Sequence, residues 1–255
     1  MTIEAQASGA SASGITYGMV GGGQGAFIGG VHRKAIAMDG LARLAAGCFS
    51  TNDANTRKTG RSLGLSDGRL YTDYRALIAA EARRADPIDF LVIVTPNASH
   101  YAIARLALEH GFHVMCDKPL TTSLEHAQEL AALAKKNRRL FGVTYTYTGY
   151  PMVRHLRELV AAGELGDLRF VSAEYPQDWL ATLLETTGQK QAAWRTDPKR
   201  AGLSNCVGDI GSHIENMVSY LTGLEIKSLL ARLDRFGKGR TLDDNASILL
   251  EYKGG

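Results

Sequence analysis

Imbalance of any kind is scarce in this 255-residue sequence, and each scarcity excludes something. Net charge is small: 29 Lys and Arg stand against 26 Asp and Glu (29 − 26 = +3), which argues against a nucleic-acid or membrane-surface partner chosen by bulk charge. Long apolar runs are missing. The longest, Phe90 to Val94, is far too short to cross a bilayer, and the Ser- and Ala-rich start, Met1 to Gly14, lacks the basic and apolar regions of a secretory signal. That start reads as a flexible tail. Cysteines are few, odd in number and far apart: Cys48, Cys116 and Cys206 read as reduced thiols of a cytoplasmic protein rather than a disulfide framework. No set of ligands stands at metal-motif spacing, and there is neither an internal repeat nor a low-complexity linker. What is present is ordinary: 45% hydrophobic and 22% charged residues exclude disordered and fibrous classes and can fill one large core or two smaller ones.

From Ile15 to Tyr147, short β-rich runs alternate with segments of helical period, the pattern of a parallel sheet with crossover helices. Strands are expected at Ile15 to Val20, Ala42 to Phe49, Phe90 to Val94, His113 to Cys116 and Leu140 to Tyr145, with a weak one at Leu70 and Tyr71. Leu124, Ala127, Leu130, Ala131 and Ala134 recur at helical spacing behind a Thr122 or Ser123 cap. Lys135, Lys136, Arg138 and Arg139 then complement that helix's carbonyl end. After residue 147 the order becomes α+β. A helix opens at Pro151, a turn falls at Gly163 to Gly166, and Arg169 to Tyr175 alternates like a half-buried strand. A polar stretch from Gln177 to Asn205 precedes a helix at Asp209 to Leu221 and strands at Glu225 to Leu233 and Ala246 to Tyr252. The expected architecture is an α/β dinucleotide-binding domain over 15–147 and a second, α+β domain over 148–255.

The first strand runs into Gly21-Gly22-Gly23-Gln24-Gly25-Ala26 and then a helix. Gly21, Gly23 and Ala26 satisfy G-x-G-x-x-A in the setting where backbone N–H groups and a helix terminus receive a dinucleotide pyrophosphate. Gln24 and Gly25 belong to the same loop. Ribose recognition usually needs an acid at the end of the second strand, but here that end reads Cys48-Phe49-Ser50-Thr51-Asn52. Ser50 or Thr51 could bond a 2′-phosphate, with Arg57 or Lys58 assisting, so the cofactor is expected to be NAD or NADP, with NADP favoured.

Three further segments carry a resemblance. Val94-Thr95-Pro96-Asn97-Ala98-Ser99-His100, Gly111 to Pro119 with its Asp117-Lys118-Pro119, and Gly208-Asp209-Ile210-Gly211-Ser212-His213 stand in the order of signatures of the glucose-fructose oxidoreductase, inositol dehydrogenase and rhizopine-catabolism (Gfo/Idh/MocA) family. The Gly163 to Gly166 turn and Trp194-Arg195 are similar too, so the chain resembles that family from Ile15 onward.

The resemblance implies an NAD(P)-dependent oxidoreductase acting on a CH–OH group of a sugar, cyclitol or related polyol, homo-oligomeric in its full-length form. It implies a catalytic set of Lys118, Asp209 and His213, with Thr95, Pro96 and Asn97 along the cofactor and His100 capping the site. The residues fit on their own terms. Lys118 follows a strand at the carboxyl edge of a parallel sheet, where ligands bind and where an ammonium can orient a hydroxyl. Asp209 and His213 share one face if their segment is helical, and a carboxylate that fixes a histidine tautomer makes a competent base. Tyr147, Trp179, Trp194 and Arg195 would supply the apolar face and polar contacts of a sugar site. The rival reading is a nucleotide-sensing protein that kept the fold and lost the chemistry.

The chain departs from the family's pattern in three places. Asp117 stands where Glu is usual and shortens that carboxylate's reach to the cofactor. The glycine loop is about three residues longer than the fingerprint, which hands the helix-packing role to Gly29 rather than Ala26. Thr146-Tyr147-Thr148 replaces an Asn and an Arg. The family's second domain normally continues past Tyr252, so the chain is expected to be a truncated form with an unpaired sheet edge.

Overall fold

The computed structural model describes residues 14–253; the start up to Ser13, where the tail is expected, lies outside the described residues. Strands β1 (Ile15–Gly21), β2 (Ala42–Cys48), β3 (Phe90–Val94), β4 (His113–Asp117) and β5 (Phe141–Thr144) form one parallel sheet in the order β2-β1-β3-β4-β5. Helices α1 (Ile28–Ala37), α2 (Asp53–Ser62), α3 (Tyr74–Glu81), α4 (His100–Glu109) and α5 (Leu124–Lys136) make the connections. Alternation of side chains along each strand explains why the central strands read as unbroken apolar runs. Leu91 and Ile93 face a core with Leu77, Ile103 and Leu108, while Val92 and Val94 face a second core with Met19 and Phe49. Both sides are covered, so every position of β3 after Phe90 is buried.

Local chemistry sets the element ends. Ser123 caps α5 by accepting from His126 N–H at 3.2 Å, and Asn52 caps α2 through Asn55 N–H at 2.9 Å. Ser99 is no side-chain cap for α4; its hydroxyl donates to Thr95 Oγ1 and Pro96 O instead. The weak strand at Leu70 and Tyr71 is only a parallel bridge between Leu70 and Gly47, because a short 3₁₀ turn at Asp67–Arg69 and then α3 leave no length for a ladder.

Beyond β5 the chain makes α6 (Pro151–Ala161), the short helices α7 (Lys190–Arg195) and α8 (Pro198–Ala201), α9 (Ser212–Thr222) and an antiparallel pair, β6 (Ile226–Asp234) with β7 (Asn245–Tyr252). Arg169 to Tyr175 is not a strand. Its alternation suits a half-buried position, but among the described residues no neighbouring strand pairs with it, and Phe170 is 81% exposed. The helix expected from Asp209 begins as a π-turn at Val207–Gly211 and becomes α-helical only at Ser212. Among the described residues no helix is long and apolar enough to cross a membrane, and no group of His, Cys, Asp and Glu is placed to hold a metal ion.

Candidate active site

The strand order reverses at β1, which lies between β2 and β3, and the loops leaving its carboxyl end diverge to open a crevice. The register pairs Gly21 with Val94, so the glycine loop and the Thr95-Pro96 loop leave the sheet side by side. They border a cavity of about 1170 Å³ that runs under the 3₁₀ turn at Thr146–Gly149 and reaches α7 and the π-turn. Ligand pockets usually span about 300–1,000 Å³, so this one has room for a dinucleotide with a small substrate beside it.

Gly21 has φ +89°, and a Cβ there would lie 2.6 Å from Val94 O. A Cβ on Gly29 would lie 2.4 Å from Gly22 Cα, so Gly29 is the residue that lets α1 press on the loop. The loop is braced from behind. Gly23 N–H donates to Phe49 O at 3.2 Å, and Gln24 N–H donates to Asn55 Oδ1 and Thr59 Oγ1, both at 3.1 Å. Those two amides are committed to the fold, which leaves the loop's other side and the start of α1 at the cavity wall. Such a floor fits a pyrophosphate.

Lys118 follows β4 directly. Its ammonium donates to the Asp209 carboxylate and, at 2.7 Å, to the Asp209 carbonyl oxygen. Arg195 Nε donates to the other carboxylate oxygen at 3.0 Å. Burial alone would raise the Asp209 carboxyl, but Lys118 and Arg195 outweigh it and hold it below the usual carboxylate range. Asp209 therefore does not fix the His213 tautomer, as the shared-face expectation had it. The π-turn changes the helical phase between the two residues, both carboxylate oxygens go to cations, and buried His213 Nδ1 has no partner. The His213 ring lies 4.6 Å from that of Tyr147 and edge-on to Tyr145 at 5.7 Å. Burial, and then repulsion from Lys118, lower its pKa to about 4, so the imidazole is neutral at pH 7.

Lys118, Asp209, His213, Tyr147, Trp179, Trp194 and Arg195 all line the cavity, together with Gly21, Gly23, Gln24, Ser50, Thr51, Thr95, Pro96, Asn97 and Asp117. Gly25 and His100 do not. His100 is fully buried, with its ring nitrogens 2.9 Å from Pro119 O and 2.8 Å from Thr95 O, so it ties two site loops together from below. Asp117 spends its carboxylate on His32 Nε2, 3.4 Å away, and Thr144 Oγ1, which donates at 3.0 Å. Arg57 pairs with Asp53 at 2.8 Å, and neither it nor Lys58 reaches the cavity. Asn97 Nδ2 donates to Ala201 O at 3.0 Å, which fastens the loop after β3 to α8.

Sequence reasoning missed Asp73 and Arg75 at the start of α3, and also Gln191. Gln191 Oε1 accepts from Trp194 Nε1 at 3.0 Å and Arg195 Nη1 at 2.9 Å, orienting both. Its spacing of three and four residues from them was the available signal.

The profile of an oxidoreductase family with an NAD-binding Rossmann fold (GFO_IDH_MocA) matches residues 15–145, and that of the GFO/IDH/MocA C-terminal domain matches 153–255. The chain belongs to the Gfo/Idh/MocA family. It is 37% identical over 247 residues to the uncharacterized oxidoreductase YfiI of Bacillus subtilis (strain 168), covering 94% of this chain and 62% of that one. A crystal structure of an inositol dehydrogenase homolog from Azotobacter vinelandii complexed with NAD+ matches with TM-score 0.92 and 41% identity, over 96% of this chain and 63% of that one. A crystal structure of an inositol dehydrogenase homolog from Azotobacter vinelandii complexed with NADH and myo-inositol matches with TM-score 0.89 and 39% identity, over 96% of this chain and 62% of that one. The chain thus spans about three fifths of the length of the relatives it matches.

Proposed function

We propose that this protein is an NAD(P)-dependent dehydrogenase that oxidises a CH–OH group of a cyclic polyol or sugar, with Lys118, Asp209 and His213 as its catalytic residues. The observation that carries this reading is the meeting, in one cavity floored by a glycine loop, of an ammonium held by a carboxylate and a neutral histidine. A relative complexed with myo-inositol supports the substrate class.

A bound nicotinamide supplies the hydride acceptor. The chain's residues supply the rest. Asp209 and its own carbonyl oxygen fix the Lys118 ammonium, whose remaining N–H donates to the substrate oxygen. His213 accepts the alcohol proton; with Nδ1 buried, Nε2 is the nitrogen left to do so. Arg195, stacked 4.3 Å over the Trp194 ring, and Trp179 form the wall against the apolar face of the ring substrate. Without an acid at the end of β2, Ser50 and Thr51 in the cavity wall would be the groups to meet the ribose, and NADP would be accepted alongside NAD.

The test is hydride transfer from a panel of inositols and sugars to NAD and NADP, comparing wild type with Lys118→Ala. Turnover by wild type, lost in the variant while nicotinamide fluorescence titration shows the cofactor still bound, supports the reading. Tight cofactor binding with no turnover of any alcohol would favour the sensing protein.

A further inference from the structure

A hairpin usually hides its strands and exposes its tip. Here the reverse holds: β6 is exposed along nearly its whole length, yet its connection to β7, residues 235–244, carries Leu242 at 7% and Asp243 at 5% exposure. Two charged side chains in this connection are buried because they grip other parts of the chain.

Asp243 takes four bonds from four consecutive residues. Its carboxylate accepts from the Ser204 hydroxyl at 2.9 Å, Asn205 N–H at 2.9 Å, the Cys206 thiol at 2.9 Å and Val207 N–H at 3.0 Å. Val207 begins the π-turn that presents Asp209, and the chain is continuous in bonding: Ser204 Oγ accepts from Gly208 N–H at 3.0 Å and Asn205 O from Asp209 N–H at 2.8 Å. Asp243 is thus a helix cap supplied by a residue 36 positions later in the chain. Arg240, with 4% side-chain exposure, anchors the other arm as a donor. It donates to Glu185 at 2.8 and 3.1 Å and to Thr182 O at 3.0 Å, anchoring the 3₁₀ turn at Leu184–Thr187 that leads into α7 and Arg195. Asp244 folds the connection on itself by accepting from Phe236 N–H and Gly237 N–H, both at 2.7 Å.

Asp209 and Arg195 bond each other, so one connection holds both partners of the ion pair at the centre of the site. We propose that the β6–β7 connection is the positioning element of the active site, with Asp243 setting the π-turn that presents Asp209 and Arg240 setting the approach of Arg195. This rests on the reading of Lys118, Asp209 and His213 given above. Neither Asp243 nor Arg240 lines the cavity; they act through the residues they hold. An asparagine at 243 keeps one acceptor oxygen for Asn205 N–H but turns an NH₂ toward three donors, so the π-turn must shift.

The experiment uses Asp243→Asn and Arg240→Met in the whole protein, at a temperature where circular dichroism shows each folded. A milder variant, Ser204→Ala, is included because it removes one of the four bonds to Asp243, together with the acceptor of Gly208 N–H, and leaves the carboxylate in place. Displacing a catalytic group by about 1 Å can lower the rate by about 10²-fold. Asp243→Asn is expected to lower kcat about tenfold or more, with cofactor Kd changed by less than about twofold. Arg240→Met is expected to act chiefly on substrate KM, and Ser204→Ala to move kcat in the same direction by less. A second readout does not depend on turnover: the NMR titration of the His213 imidazole, which responds to Lys118, Asp209 and Asp117 around it. Asp243→Asn should shift that titration. Unchanged kcat and an unchanged His213 titration, with only Tm lowered, would overturn the proposal. A shifted titration in a protein that oxidises no alcohol would sustain the positioning role and defeat the enzyme reading.

Discussion

At the residue scale, the proposed chemistry turns on keeping one histidine neutral beside one fixed ammonium. Burial and the Lys118 charge bring the His213 pKa to about 4, so the imidazole stays neutral well below pH 7. The acid limb of kcat/KM set by His213 is expected near pH 4 rather than near the ordinary imidazole value of about 6.5. The sign for stability follows from the same shift. Between those two values the unfolded chain holds more protons, so His213 contributes stability that is present above about 6.5 and lost as pH falls through about 4. His213→Ala is expected to lower turnover roughly 10²-fold with cofactor affinity nearly unchanged, and steady-state kinetics beside a fluorescence titration check it. Lys118→Met removes a cation that disfavours imidazolium, so the His213 titration should move upward by NMR. A downward move would show that Lys118 does not face the imidazole.

At the element scale, α1 and the glycine loop approach so closely that a Cβ on Gly29 would lie 2.4 Å from Gly22 Cα. Gly29 has no room for a side chain, whereas Gly30, one position on, would place a Cβ 4.0 Å from the tip of Arg33 and nothing nearer. Gly29→Ala is expected to cost about 1–3 kcal/mol and weaken cofactor binding. Gly30→Ala is expected to be neutral or to stabilise α1 by up to about 1 kcal/mol. Paired thermal melts with cofactor titrations check both, and equal melting temperatures for the two variants would refute the close-approach argument. This contrast also marks what the sequence made legible. β3 was readable because covering on both faces demands an unbroken apolar run, and the glycine loop because a strand precedes it and a helix follows. The role of Gly29 was readable from the loop's extra length. Arg169 to Tyr175 was misread because alternation records a side chain's suitability for a sheet, not the presence of a neighbour. The π-turn was hidden because Gly208 and Gly211 signal a weak helix without specifying how it deforms. Asp243 was invisible because its partners lie more than thirty positions away and half of them are backbone N–H groups, which carry no sequence signal.

At the scale of the whole molecule, the two sheets differ in how they are covered. The parallel sheet has helices on both faces, but β6 and β7 stand largely open. Their register sorts side chains cleanly. Leu229 faces Leu250, Ala231 faces Ile248 and Leu233 faces Ala246 on one side, while Ser228 with Glu251 and Arg232 with Ser247 fall on the other, around the single apolar pair of Leu230 and Leu249. The first side is apolar throughout, and Leu229, Leu233 and Ile248 are 64%, 52% and 40% exposed. Burying each such side chain is worth about 1.5–3 kcal/mol, and an apolar face of this kind, beside strand edges that pair with no other strand among the described residues, drives association. The 255-residue chain is therefore expected to self-associate as its concentration rises. Leu229→Lys combined with Ile248→Lys should suppress this, because two cations on one face disfavour stacking it against a copy of itself. The cavity lies on other elements, so the double variant should keep wild-type cofactor affinity. Sedimentation velocity across a concentration series, with a cofactor titration on the same samples, decides the matter. A chain that stays monomeric at every concentration, or a double variant that associates as wild type does, would show that the apolar face does not govern assembly.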